Sequence, residues 1–213
     1  MHFYGQVEED KLLYNNYFKD KKNGTYIELG AIDGVDFTNT KFFEDTLNWT
    51  GILIEPNPNM FKYLKQHRPN NFLFNDLVSC DTEELKFKYF IEGGDVAVSG
   101  VESSLTEYHE QWFCHKKELQ RTILIKPKTL TEIVKSTNIT HIDFLSLDVE
   151  GHELEVLKSW DFSIPIDLIL IEILGVDHAK EEKCRELLHN NNYIFKERFH
   201  HNEIYVLNTS PYN

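Results

Sequence analysis

The stretch Thr25-Tyr-Ile-Glu-Leu-Gly-Ala-Ile-Asp-Gly34 constrains this chain more than any other. A β-rich run from Thr25 to Leu29 is stopped by Gly30, a second glycine follows at Gly34, and a helix-like segment begins near Thr38. Strand, glycine turn and helix in that order make the nucleotide-site arrangement of α/β proteins. Gly30 lets backbone approach a ligand without a Cβ, and Gly34 can supply the positive φ of a tight turn. Glu28, at the strand end, repels a pyrophosphate and suits an ammonium group. That asymmetry favours an amino-acid-bearing nucleoside such as S-adenosylmethionine over NAD. Taken alone, the stretch also fits a structural turn that binds nothing.

The rest of the chain supplies the elements around that turn. Residues 1–22, with Leu12, Leu13, Tyr17 and Phe18 on one helical face, read as an amphipathic N-terminal helix that packs on the sheet or covers the site, ahead of a single domain over 23–213. Thr38 is placed to cap a helix over Asn39–Leu47. Gly51–Glu55 reads as a second buried strand, ended by Pro56 and Pro58, which open a helix burying Met60, Phe61 and Leu64. Further strands are expected at 72–74, 85–91, 121–125, 142–147 and 167–174, and further helices at 108–119, 130–136 and 179–189. Residues 93–104, small and polar, read as a loop and a candidate lid. Tyr193–Phe199 and Glu203–Leu207, joined by His200-His-Asn202, read as a closing hairpin. The order is α/β, with an antiparallel pair at the end.

Acids gather at the strand ends. Glu55 lies somewhat over twenty residues past the glycine turn, where an acid accepts both ribose hydroxyls of a nucleoside. Asn75 or Asp76, after the third strand, is placed for the adenine amino group. Asp148 and Glu150 follow the strand Ile142-Asp-Phe-Leu-Ser-Leu147, and Glu172 interrupts an otherwise apolar run, which requires a strand end or a partner. Glu153 reads as an acid at a helix N-terminus. His109 and His115 fall on one expected helix, with no third ligand at metal spacing.

Composition removes several function classes. The 213 residues carry a formal net charge of −13, which works against non-specific nucleic-acid binding, since that needs a dense basic face. No apolar run reaches a membrane span, and the first twenty residues lack the basic start and apolar stretch of a signal peptide, so a cytoplasmic location is expected. Cys80, Cys114 and Cys184 are far apart in sequence and read as reduced.

Together these segments resemble the FkbM-type family of class I S-adenosylmethionine-dependent methyltransferases over nearly the whole chain. The resemblance rests on Glu28-Leu-Gly-Ala-Ile-Asp-Gly34 with Asn39-Thr40, on Trp49-Thr-Gly-Ile-Leu-Ile-Glu-Pro-Asn-Pro58, and on Ile142-Asp-Phe-Leu-Ser-Leu-Asp-Val-Glu-Gly-His-Glu153. Tyr4-Gly-Gln6 looks like the family's N-terminal element, although Val7-Glu8-Glu9 follows where the family usually has an aspartate; the family also often has alanine where Asp76 stands. The resemblance implies a Rossmann-like, seven-stranded, mostly parallel sheet with helices on both faces and a C-terminal antiparallel hairpin. It implies S-adenosylmethionine as cofactor, held by Glu28, Gly30, Asp33, Gly34, Asn39, Thr40, Glu55 and Asn75 or Asp76. It also implies methyl transfer, commonly to an oxygen of a sugar or glycan or of a small natural product. Asp148 is the first candidate to orient or deprotonate the acceptor, Glu150 the second, with Glu172 or His178 in reserve. The same acids could hold a divalent cation such as magnesium or calcium. Two other classes share parts of this pattern, an NAD-dependent oxidoreductase and a nucleoside-binding module without turnover. The glycine spacing is not the dinucleotide fingerprint, and Glu28 would face a pyrophosphate.

Overall fold

The structure, a computed structural model, describes residues 1–213. In chain order, α1 (Glu9–Leu13) runs into a π-helical turn over Tyr14–Phe18 and leads to β1 (Thr25–Leu29). There follow α2 (Lys41–Leu47), β2 (Thr50–Ile54), α3 (Pro58–His67), β3 (Phe72–Phe74), β4 (Leu85–Phe90), β5 (Gly100–Val101), α4 (Glu107–Phe113) and β6 (Gln120–Ile125). The chain continues through α5 (Leu130–Lys135), β7 (Ile142–Leu147), α6 (Glu153–Lys158), β8 (Ile166–Glu172), α7 (His178–Asn190), β9 (Tyr193–Phe199) and β10 (Asn202–Leu207). No helix is long and apolar enough to cross a membrane.

Seven strands form one sheet in the order β3-β2-β1-β7-β8-β10-β9, parallel except where β10 pairs antiparallel with β8 and β9. This is the Rossmann-like sheet with its closing hairpin. The strand order reverses between β1 and β7, and in open parallel sheets ligands bind in the crevice outside the strand C-termini at such a point. Because side chains alternate along a strand, the sheet has two apolar faces. Ile27, Ile52, Leu145 and Ile169 pack under α5, α6 and α7. Tyr26, Leu53, Phe144 and Leu168 face the aromatic cluster of Phe18, Phe42, Phe43 and Trp49.

Several expected elements are shorter or different. The N-terminal helix covers only 9–18, because residues 1–8 are held otherwise: Gly5 bridges Phe37, and the Asp10 carboxylate accepts the Tyr4 N–H at 2.7 Å. Leu13 and Phe18 are fully buried on the sheet. The second helix begins at Lys41 rather than Asn39, with Thr40 at its N-cap, because the Thr38 hydroxyl is committed to Glu28. Residues 93–104 contain a 3₁₀ turn (Gly94–Val98) and β5, and β5, β4 and β6 make a separate three-stranded sheet. The helix expected over 108–119 ends at Phe113, and a 3₁₀ turn follows at 117–119 after Lys116 takes positive φ.

Candidate functional site

A cavity of about 370 Å³ opens at the C-terminal ends of β1, β2, β7 and β8. Its wall includes Glu28, Gly30, Asn39, Glu55, Asp76, Asp148, Glu150 and Glu172, together with Gln6, Phe37, Tyr108, Trp112, His200 and His201. The 3₁₀ turn over Gly94–Val98 lines it as well, which puts the expected lid segment at the site. Eight carboxylates line the wall, counting Glu9 and Asp95, and no lysine or arginine does.

The turn after β1 is set by backbone geometry. Gly30 has φ +80, and a Cβ there would overlap the Asp148 carbonyl oxygen, so the ends of β1 and β7 meet backbone to backbone. Ile32 has φ +48, a region that β-branched residues rarely enter, and in this conformation its N–H reaches Glu55 Oε2 at 2.8 Å. The other Glu55 oxygen accepts the Asn57 N–H at 2.7 Å. Burial pushes the Glu55 carboxyl up to about 8, against the pull of these two bonds. Glu55 thus sits at the cavity wall with lone pairs to spare.

Glu28 is oriented differently from the sequence expectation. Alternation puts it on the Tyr26 face of β1, under the loop that leads into α2. There Oε2 accepts both the Thr38 and Thr40 hydroxyls, at 2.7 and 2.6 Å, and Oε1 accepts the Asn39 N–H at 2.6 Å. The expected ammonium partner is therefore a clamp on residues 38–40. Behind it lies Arg68, fully buried, whose guanidinium donates to Thr40 Oγ1, Tyr26 Oη and Gly34 O and pairs with Glu44. Asn39, by contrast, donates from Nδ2 to Ser146 Oγ at 3.0 Å and keeps a buried Oδ1 with no partner.

Four of the expected cofactor residues stand behind the wall rather than on it. Asp33 accepts the Val35 and Asp36 N–H groups and closes the turn. Gly34 has φ +81 and is covered by Leu64 and the Arg68 side chain. Thr40 is used by Glu28 and Arg68. Asn75 points its amide at the Glu55 and Pro56 carbonyls, which leaves Asp76 as the one of that pair facing the cavity, 3.0 Å from Lys128 Nζ.

At the ends of β7 and β8, Asp148, Glu150 and Glu172 come together, with one oxygen of each within 4.8 Å of those of the other two. Burial, and for Asp148 and Glu172 the neighbouring carboxylates, raise all three above the usual carboxylate range; for Glu150 the added repulsion comes from Glu153. Glu150 is held at φ +55 and Gly151 at φ +89, where a Cβ would come within 2.7 Å of the Ser104 carbonyl. Glu153 acts as the helix-terminal acid: its Oε1 accepts the Val149 and Gly151 N–H groups at 3.2 and 3.1 Å and fixes this turn. His178 stands apart, its side chain 87% exposed at the start of α7.

Sequence reasoning reads His109 only as one of a histidine pair on a helix, and does not single out Arg68. His109 is fully buried, its Nδ1 accepts the Thr106 N–H at 3.0 Å, and its Nε2 faces Glu150 Oε2 at 3.2 Å. The spacing Thr106-x-x-His109 is that of an N-cap and the third helical residue, a readable local signal. Nothing local marks Arg68.

The methyltransferase FkbM domain model matches residues 28–200. No curated protein sequence matches the chain. Among solved structures, M. capricolum TrmK in complex with S-adenosyl-homocysteine is similar, with 12% identity, a TM-score of 0.46, and coverage of 92% of this chain and 68% of that one. A precorrin-6y C5,15-methyltransferase from Geobacter metallireducens is also similar, with 11% identity, a TM-score of 0.46, and coverage of 96% and 92%.

Proposed function

The chain belongs to the family of FkbM-domain methyltransferases, with S-adenosylmethionine as cofactor, and from that membership we propose O-methylation of a neutral acceptor, a hydroxyl on a sugar or glycan or on a small natural product. The observation that carries an oxygen acceptor is the cluster of Asp148, Glu150 and Glu172, since a hydroxyl must lose its proton as it is methylated.

The wall of the cavity fits the cofactor. Asn39 Oδ1, buried and unpartnered, is an acceptor for the cofactor's ammonium, in place of Glu28. Glu55 accepts the ribose hydroxyls, and Asp76 is the acid nearest in sequence for the adenine amino group. With no lysine or arginine in the wall, the cofactor carboxylate is held by neutral donors, of which Gln6 is one. Bound there, S-adenosylmethionine supplies an electrophilic methyl group next to a positively charged sulfur.

The acceptor side is built from Tyr108 and Trp112, each 41% exposed, and from His200, His201 and Asn202 of the hairpin. Aromatic faces with polar groups around them suit a polyhydroxylated molecule, and a wall of carboxylates repels an anionic one. The acceptor oxygen bonds to the methyl carbon as the sulfur–carbon bond breaks, and the hydroxyl proton passes to the acid cluster, with Asp148 the first recipient. The products are the methyl ether and S-adenosylhomocysteine. A screen of neutral sugars and phenolic or alcoholic natural products for S-adenosylhomocysteine release tests this; release with amine acceptors alone would overturn the oxygen assignment.

A further inference from the structure

We propose that the Glu9 carboxylate, which precedes the span of the domain match, joins Asn39 Oδ1 in holding the ammonium group of S-adenosylmethionine, across a gap that Gly5 keeps open. Glu9's role rests on the cofactor assignment above and makes residues 4–10 the wall that reads the cofactor's amino-acid end.

Two adjacent acids open α1 and do different work. Asp10, fully buried, accepts the Tyr4 N–H at 2.7 Å and the Lys11 N–H at 3.0 Å, and so folds the segment back on itself. Glu9, also buried, turns to the cavity instead. Its Oε2 accepts the Val7 N–H at 2.9 Å and its Oε1 accepts from Asn202 Nδ2 at 3.3 Å, which fixes the carboxylate between the N-terminal segment and the β9–β10 hairpin. Each oxygen keeps acceptor capacity beyond the one bond it makes. The bridge between Gly5 and Phe37 seats the segment on the loop that follows β1. Gln6 lines the same wall, so one short segment offers an acceptor for the cofactor's ammonium and a donor for its carboxylate.

Gly5 and Asn39 point to a ligand independently of that acid. A Cβ on Gly5 would come within 2.6 Å of Glu9 Oε2, 2.9 Å of Asn39 Oδ1 and 3.0 Å of the Glu9 N. Gly5 has no positive φ, so the position calls for glycine because of the space beside it and not because of its backbone. Two oxygens that close to one point are near enough for a single ammonium to reach both at the lengths of charge-assisted hydrogen bonds, about 2.7–2.9 Å. Asn39 is buried and lines the cavity, and the bond from its Nδ2 to Ser146 Oγ fixes which way the amide faces. Its Oδ1 is left without a donor, which is costly for a buried carbonyl until one arrives. An ammonium brings three N–H groups, enough for the amide oxygen and the carboxylate together.

The test titrates the full chain by calorimetry with three ligands in separate arms: S-adenosylhomocysteine, its deaminated analogue with hydrogen in place of the amino group, and methylthioadenosine, which lacks the amino-acid portion. In the parent, loss of the amino group should lower affinity at least about ten-fold, as for a hydrogen bond to a charged group. Glu9→Gln keeps the shape and the bond to Val7. It should weaken S-adenosylhomocysteine by a similar factor, leave methylthioadenosine within about two-fold of the parent, and discriminate less against the deaminated analogue. Gly5→Ala, which fills the gap, should show the same pattern, and melting curves accompany both variants. Undiminished discrimination in Glu9→Gln overturns the role of Glu9, and so does an equal loss with methylthioadenosine, which would make Glu9 a support of the fold. A parent that binds S-adenosylhomocysteine and its deaminated analogue alike overturns it without any variant and leaves the cofactor assignment standing. A parent that binds none of the three ligands removes both.

Discussion

Gly30 and Asp148 meet backbone to backbone: a Cβ on Gly30 would come within 2.1 Å of the Asp148 carbonyl oxygen, just past the end of the β1–β7 ladder where the cavity opens. Gly30→Ala therefore strikes the protein itself before it strikes any ligand. Positive φ at a non-glycine residue costs of order 1–3 kcal/mol, and the overlap adds to that. The denaturation midpoint should fall markedly, with cofactor affinity falling as a consequence. A variant with parental stability and weakened binding would show that the glycine serves the ligand alone.

If Glu55 takes the proposed ribose role, its raised carboxyl should make cofactor binding depend on pH. Its folded value of about 8, against an ordinary 4.5, means that the fold favours the protonated carboxyl. The stability this contributes is complete below pH 4.5 and is lost as pH rises toward 8. Without cofactor, Glu55→Gln should accordingly gain on the parent across that window in paired thermal melts. Ribose hydroxyls donate to the ionised form, so binding should release protons and tighten with pH below about 8. Glu55→Ala should weaken binding by roughly 1.5–3 kcal/mol. A pH-independent affinity, or full affinity in the alanine variant, removes the ribose role.

Arg68 is the counterweight of the loop above α2. Truncation leaves Glu44, Glu28 and the Tyr26 hydroxyl around a missing buried cation. Arg68→Ala should cost about 3–5 kcal/mol of stability, the range for breaking a buried charge pair from one side. Chemical denaturation measures it, and a loss below about 1 kcal/mol would mean that water replaces the guanidinium.

Asp148→Asn should separate binding from rate. Cofactor affinity should stay within a few-fold, while turnover falls by about 10²–10⁴, the usual contribution of a positioned acid or base. Parental turnover would transfer the role to Glu150.

The strands and the acids at their ends were legible because their signals are local. Alternation, glycines and prolines fix β1, β2 and β7, and Glu55 and Asp148 follow from where those strands stop. Glu28 shows the limit of reading from position alone. Its place at the strand end was plain, but its direction depends on the face it shares with Tyr26 and on a loop ten residues away. Arg68 and the lone Oδ1 of Asn39 gain meaning only from partners distant in sequence, Ser146 among them, whereas His109 has a local cap signal but meets Glu150 only through the fold. The small sheet was hidden because β5 has two residues, too few for a period.

The position of β10 has a consequence for how the molecule is made. β8, Ile-Asp-Leu-Ile-Leu-Ile-Glu, pairs on one side with β7 and on the other with β10, and nothing between residues 172 and 202 covers that second edge with a strand. Until β10 slides in beside it, a long apolar strand presents unpaired backbone, the form most prone to self-association. The same step brings Asn202 Nδ2 to Glu9 Oε1, 193 residues away in sequence, at 3.3 Å. Closing the His200–Asn202 side of the cavity and protecting the β8 edge from aggregation are one folding event.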